Sequence, residues 1–431
     1  MAMFNIEITG SILLIFVLVR TNFVSSWPHR FINGLRIFLP PTESDLERIQ
    51  PPKHKRAKTP PKQKSVEERL ALLNIMHVPI TQNFMINEIF YQTYEKMILV
   101  ALSALLTLAY TVIYRCFFAD PAARPAEWLT ATCAVCAAGG LYCGGAVLRV
   151  TGRGSAEGSF GFSLFYVATL LAAMMLFSPA ADIVVFTTSF EGILLDLHER
   201  MVVCWGMLFH GSFPLSAKAV DAGVRALLAV LGGAAAAACS LPAMRFGHTF
   251  DDRMQYKNDR RVRALLWAGL VLPLLVCVAW NRPALEPLAA AAGLGEGGFR
   301  AGQLALLALF TGVYFGTART HLQMFLETAV RSISVDLEKR EIDKSAVDQK
   351  FKVRIGYLMM AATQYVAPGC VFLGALLLLV AKSAPRPGGC VLTGLLEACR
   401  LDAVLLNTDT TPRDFEMFTP EAAAPTLRDL L

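Results

Sequence analysis

The sequence has 431 residues, 55% hydrophobic and 17% charged, with 31 glycines that raise the apolar share to about 62%, against roughly 45–50% in soluble domains. This excludes a string of soluble domains, a disordered chain and a small disulfide scaffold, and predicts an all-α polytopic integral membrane bundle. The formal charge of +6, from 40 Lys+Arg against 34 Asp+Glu, is too mild to mark a nucleic-acid binder.

Eight apolar runs approach the ~20 residues that cross about 30 Å of hydrocarbon as a helix. Residues 1–19 hold the first, read as a signal anchor, with Glu7 inside it. A cleaved signal peptide is the competing reading. The segment lacks a basic n-region, and Val24-Ser25-Ser26 is a passable cleavage site.

Residues 20–96 form a basic loop. Within 27–39, Trp27, Phe31, Ile32, Leu35, Phe38 and Leu39 are predicted to line one face of a short helix, with Arg30 and Arg36 in reach of head groups. This is either an interfacial segment or a loop packed on the bundle. The Pro/Lys stretch 50–64 offers no apolar residues for a core and predicts disorder. Its Lys53, Lys55, Arg56, Lys58, Lys62 and Lys64 either attract anionic lipid, at about 1 kcal/mol each, or act as a topology determinant and solvated linker.

Residues 97–317 carry spans two to seven: 97–117, 128–148, 159–186, 226–243, 264–280 and 301–317. Pro179 and Asp182 interrupt the fourth late, and Pro273 lies inside the sixth. Backbone polar groups find no water in lipid, so each span must be helical, and neighbouring helices can satisfy the carbonyls that prolines free. Between the fourth and fifth, Phe190, Ile193, Leu194, Leu197 and Met201 recur at helical spacing and predict an amphipathic helix on the outer face. His198 and His210 lack a second metal-ligand candidate at i+4 and read as structural.

Residues 318–354 are predicted to be a cytoplasmic helical hairpin. Leu322, Leu326, Ala329, Ile333 and Leu337 keep one stripe on one face, Val347, Phe351 and Ile355 continue it, and the turn falls near 341–345. The hairpin either packs under the bundle or presents a docking surface. The last span is 355–381, with Pro368 inside, and 382–431 form a tail. Whether Cys390 and Cys399 in that tail are bridged stays open.

Orientation follows from the basic residues. The first, third, fifth and seventh loops carry 28 of the 40 Lys+Arg, and the remaining loops and tail carry 12. The odd loops are therefore expected to be cytoplasmic.

Chemistry is sparse. The sequence has no GxxxxGK[ST], no HExxH and no GxSxG. Cys133, Cys136 and Cys143 lie in an apolar span and read as packing residues rather than metal ligands. Glu7 and Asp182 sit near span ends. Gln303, Thr311, Tyr314, Thr363, Gln364 and Tyr365 are expected to make interhelical hydrogen bonds, and the GxxxG-spaced pairs Gly140/Gly144 and Gly312/Gly316 to mark close helix contacts. Without a proton relay, carbonyl filter or acid/base set, the expectation is a non-enzymatic protein with no cofactor and no metal.

Several short motifs occur together. They are Pro41-Thr42-Glu43-Ser44-Asp45-Leu46, Leu241-Pro242-Ala243-Met244-Arg245 with His248 and Asp251, Trp280-Asn281-Arg282-Pro283, the run from Arg319 through His321 and Gln323 to Leu326, and Gln364-Tyr365-Val366-Ala367-Pro368. In this order and at these separations, over about residues 1–382, the chain resembles the transmembrane protein 161 family. The resemblance implies a multi-pass α-helical membrane protein without an established enzymatic activity. It also implies control of potassium and calcium currents and of excitability, through ion channels or other membrane-protein partners, and hence the plasma membrane rather than an internal one. A small-molecule or lipid transporter with a polar midplane cavity lined by Gln303, Tyr314 and Gln364 is the alternative. The motif residues carried over, without an assigned role, are Arg245, His248, Arg319, His321, Gln323, Gln364, Tyr365 and Pro368.

Overall fold

The computed structural model describes residues 6–20, 27–49, 75–86, 88, 90–117, 127–151, 156–178, 195, 198–199, 201–203, 205–206, 214, 216–256, 260–280, 296–338 and 343–383. Asp182, His210, Cys390, Cys399 and the stretch 50–64 lie outside them, as does most of the predicted outer amphipathic helix.

The chain is a helical membrane bundle. In order it forms α1 (Ile6–Arg20), α2 (Trp27–Ile32), β1 (Arg36–Phe38), α3 (Glu43–Ile49), β2 (His77–Pro79), α4 (Gln82–Ile86), α5 (Tyr91–Phe117), α6 (Glu127–Thr151), α7 (Ala156–Phe177), α8 (Ala217–Tyr256), α9 (Arg260–Ala279), α10 (Glu296–Glu338), α11 (Lys344–Gly356) and α12 (Leu358–Ser383). Each of the eight apolar runs falls on a helix among the described residues, although the helix of the fourth run ends at Phe177, with 179–186 outside the described residues, and that of the last begins at Leu358 rather than at residue 355. Seven of these helices, α5 to α10 and α12, are long and apolar enough to cross a bilayer, whereas α1 has a shorter apolar stretch, Thr9–Leu18.

α12 is the centre. It packs against α6, α10, α5 and α8, and every residue from Leu358 to Cys370 is buried. Its contact with α6 is close because glycines face backbone: a Cβ on Gly140 would stand 2.6 Å from the Ala367 carbonyl oxygen, and one on Gly374 2.7 Å from the Ala137 nitrogen. The Cys136 thiol, buried beside Cys133, donates to the Cys370 carbonyl at 3.5 Å. Around this centre, α1 leans on α5, α7 on α8, and α9 on α10. α7 and α9 turn most of their apolar side chains outward, among them Tyr166, Leu170, Met174, Trp267, Leu270 and Leu274, as lipid-facing helices do. Arg225 of α8 donates to the Leu176 carbonyl at the end of α7, satisfying an orphan acceptor of that helix end.

α8 and α10 are far longer than their apolar runs. At 40 and 43 residues they extend about 60 and 65 Å, so both project beyond a ~30 Å hydrocarbon layer. The end of α10 packs against α11 as a hairpin around Ala329, Ile333, Val347 and Phe351. Asp343 caps α11, accepting from the Ser345 amide at 3.1 Å and its hydroxyl at 2.7 Å. α11 ends at Gly356, and Tyr357 separates it from α12.

The loop after α1 departs from expectation. The predicted helical face over 27–39 holds only to Ile32. Gly34 then adopts φ +84°, left-handed backbone that terminates a helix. Leu35 follows, and Arg36 to Phe38 pair antiparallel with His77 to Pro79 as a two-stranded sheet. Ile32, Leu35, Ile37, Ile80 and Met85 are buried together against Tyr91 and Tyr94 of α5. Tyr94 donates from its hydroxyl to the Pro28 carbonyl at 3.0 Å. The described part of this loop is a folded module packed on α5, as in the second of the two readings of 27–39, and α5 begins at Tyr91, six residues before the expected span.

Candidate functional site

The motif beginning at Arg319 sits on α10 where the module, α8, α9 and α12 meet. At about 100° per residue, Arg319 and Gln323 share one face while His321 and Phe325 share the opposite one.

The first face holds the module. The Gln323 side-chain amide oxygen accepts from the Arg36 backbone N–H at 2.9 Å, and its nitrogen donates to the Arg36 carbonyl at 3.4 Å. One side chain thus satisfies a strand residue as a neighbouring strand would. The Arg319 guanidinium lies over Gly34: a Cβ there would collide with Nη2. Arg36 Nη1 donates toward His77 Nε2 at 3.4 Å. Between module and helix lies a cavity of about 410 Å³, lined by Arg36, His77, Val262, Arg319, Thr320, Gln323 and Glu327 among others.

The second face enters the bundle. His321 is 3% exposed. Its ring stacks on Tyr365 of α12 (centroids 5.1 Å, 13°) and meets Phe246 of α8 at 5.0 Å. Neither imidazole nitrogen has a hydrogen-bond partner among the described residues. Tyr365 pairs with Thr249 and lies within electrostatic reach of Arg245. Arg245 and Arg354 place their guanidinium carbons 5.3 and 5.0 Å from the Phe325 ring centre. Cation–π attraction, about 0.5–1 kcal/mol each at exposed sites, so ties α8 and the end of α11 to α10.

The remaining motif residues fall elsewhere. His248 is exposed on α8. Gln364 is buried on α12, and neither amide atom has a hydrogen-bond partner among the described residues. Pro368, four residues on, lacks the N–H that the Gln364 carbonyl would accept in a regular helix. Of the polar residues expected to bridge helices, Gln303 does so, donating to the Ala279 carbonyl of α9 at 2.6 Å. Thr311 and Thr363 instead bond back to Leu307 and Met359 in their own helices. The Tyr314 hydroxyl is buried in an aromatic cluster with Phe310, Phe315 and Phe372 and has no partner among the described residues. Gln303 and Tyr314 are eleven residues apart on α10, about 16 Å along its axis. The pair Gly140/Gly144 meets α12 and Ala238 of α8, whereas Gly312 and Gly316 have nothing within 4 Å of a Cβ.

A second link ties the module to the hairpin. Lys344 pairs with Glu43 at 3.0 Å, and the Glu43 carboxylate holds the ammonium above its ordinary pKa. Thr42 donates to the Asp45 carboxylate. The motif at 41–46 therefore forms the start of α3 and supplies its contact with α11. Gly34, Arg36, Phe246 and Arg354 belong to the assembled site and were not singled out from sequence for it; only a glycine between a helical and an alternating stretch hinted at the turn.

No solved structure matches the chain. A family model described as predicted transmembrane protein 161AB matches residues 2–384, and the chain belongs to that family.

Proposed function

We propose that the chain is a non-catalytic membrane protein that modulates potassium or calcium currents through a partner protein, most simply a channel, at the plasma membrane. The ion-current part comes from the family resemblance. One structural observation supports a docking role. α10 runs unbroken from its apolar span into the platform formed by the loop module and α11. A partner gripping that platform holds a rigid extension of the bundle. In the proposed orientation the platform is cytoplasmic, and the Lys53–Lys64 stretch adds attraction to anionic lipid. The test is whole-cell recording with and without the protein. Currents change on expression, and Val347→Asp, which places a charge in the hairpin core, abolishes the change while surface expression persists. Unchanged currents across potassium and calcium channels overturn the proposal.

A second reading, transport of a small molecule or lipid, draws on the buried polar atoms of Gln364 and His321 that lack partners among the described residues. Gln364→Leu separates the two readings. A packing role predicts a protein at least as stable with unchanged currents, since an unsatisfied buried amide costs about 1–3 kcal/mol. A transport role predicts loss of function.

A further inference from the structure

We infer that the cavity between the loop module and α10 is a binding site for the phosphorylated head group of an anionic membrane lipid.

The cavity is built rather than incidental. Gln323 fixes the Arg36 main chain against α10. Gly34 is the residue that lets the Arg319 guanidinium approach: its φ is +84° and a side chain there would meet Nη2. Arg36 and Arg319 thus face one space from two different elements, with His77 beside Arg36. Two guanidiniums converging on a space suit phosphate, because their planar forks bind its oxygens in pairs. Glu327 also lines the space and is already engaged in an interaction of its own. The volume, about 410 Å³, lies in the range of small-ligand sites, roughly 300–1,000 Å³.

Depth identifies the lipid as the source of the phosphate. On α9 the sequence turns from Arg260-Arg261-Val262-Arg263 to an unbroken apolar run beginning at Ala264, and Val262 lines the cavity. On α10 the apolar run 301–317 ends just before Arg319. Both helices therefore put the cavity in the first polar turn beyond the hydrocarbon, where head groups lie. Below it, the outward apolar side chains Trp267, Leu270 and Leu274 of α9 offer a surface for acyl chains. A soluble anion gains nothing from that surface.

The test uses the full chain purified in a neutral detergent. The probes are dioctanoyl phosphatidylinositol bisphosphate, dioctanoyl phosphatidylcholine, inositol trisphosphate and inorganic phosphate, and the readout is binding by native mass spectrometry. The wild type binds the phosphoinositide and not the phosphatidylcholine. Arg36→Gln leaves the main chain that Gln323 grips, and it lowers affinity by about tenfold, as does Arg319→Gln. A variant with Lys53, Lys55, Arg56, Lys58, Lys62 and Lys64 all changed to Gln binds as the wild type does. Unaltered binding by Arg36→Gln overturns the proposal, even where Arg319→Gln fails to fold. Loss that follows the six-residue variant instead overturns it in favour of the stretch. Inositol trisphosphate or inorganic phosphate bound as tightly as the lipid overturns the membrane source.

Discussion

Alanine at Gly140 and alanine at Gly312 test the packing of the bundle, because the two sites share GxxxG spacing and differ in surroundings. A methyl at Gly140 would stand 2.6 Å from the Ala367 carbonyl oxygen, 2.9 Å from Val371 Cγ2 and 3.1 Å from the Val371 nitrogen. Two of these three atoms are backbone, so no rotamer change relieves the clash. α6 and α12 must part by roughly 0.5–1 Å to restore ordinary contact. Both helices pack through this seam, with Gly374 and Cys136 further along it. Overpacking of this kind costs about 1–3 kcal/mol. At Gly312 nothing lies within 4 Å of the added methyl. Glycine to alanine in a helix interior also removes backbone freedom from the unfolded chain. That gain is common to both sites and cancels in the comparison. Gly140→Ala is therefore expected to be less stable than Gly312→Ala by about 1–3 kcal/mol, with Gly312→Ala no worse than the wild type. Thermal unfolding of the three proteins in one detergent, followed by loss of the monodisperse elution peak, ranks them. Equal stability of the two variants would refute the placement of α6 on α12.

Three further outcomes follow from the loop module and the hairpin. Phe351→Ala empties the centre of the hairpin core, where Phe351 is 1% exposed beside Ile333 and Val347, and costs about 3–5 kcal/mol. Hydrogen exchange should rise over 344–356 while α12 stays protected, and protection retained in α11 contradicts the packing. Gln323→Ala strips the Arg36 amide and carbonyl of their partner, a loss of about 1 kcal/mol, and trypsin should cut at Arg36 faster than in the wild type; an unchanged rate argues against the docking. Asp343 supplies acid sensitivity. Hydrogen bonds from Ser345 hold its carboxyl below the ordinary value, so its contribution is present above the unfolded pKa of about 3.9 and is lost as pH falls through the lower folded value. A spin label at exposed Gln349 should gain mobility below about pH 4, and Asp343→Asn should remove that step; a step that persists in the variant assigns it to another group.

The transmembrane helices were legible because apolar runs of span length have one solution in lipid. The extension of α10 beyond the bilayer was legible too, since Leu322, Leu326, Ala329 and Ile333 keep a helical stripe where charge reappears. The stretch after Ile32 was not. Leu35 and Ile37 are buried while Arg36 is exposed, an alternation too short to overrule the helical reading that Phe31, Ile32 and Leu35 suggest. The positive φ at Gly34 decides the matter, and a glycine in sequence does not declare its φ. Gly140 and Gly312 were indistinguishable for a related reason: spacing places glycines on a face, and the neighbour supplies the rest. Thr311 and Thr363 satisfied their hydroxyls within one turn, so polarity inside a span predicted a bond without predicting its direction.

The run from Arg319 to Phe325 shows why a motif can be recognisable without being readable. Its polar and aromatic residues alternate, a period of two that fits no single helix face. On α10 alternate residues fall about 200° apart. Arg319 and Gln323 therefore meet the module, while His321 and Phe325 meet α8, α11 and α12. The two contacts use different forces: hydrogen bonds at the wet face, ring stacking and cation–π contact at the dry one. Rotating α10 to improve one would break the other. The helix is thus fixed about its axis at the level where it leaves the apolar span, and the loop module cannot shift without disturbing His321 and Tyr365 in the bundle. A ligand between Arg36 and Arg319 would press on this joint, which gives the proposed head-group site and the proposed docking platform one mechanical element in common.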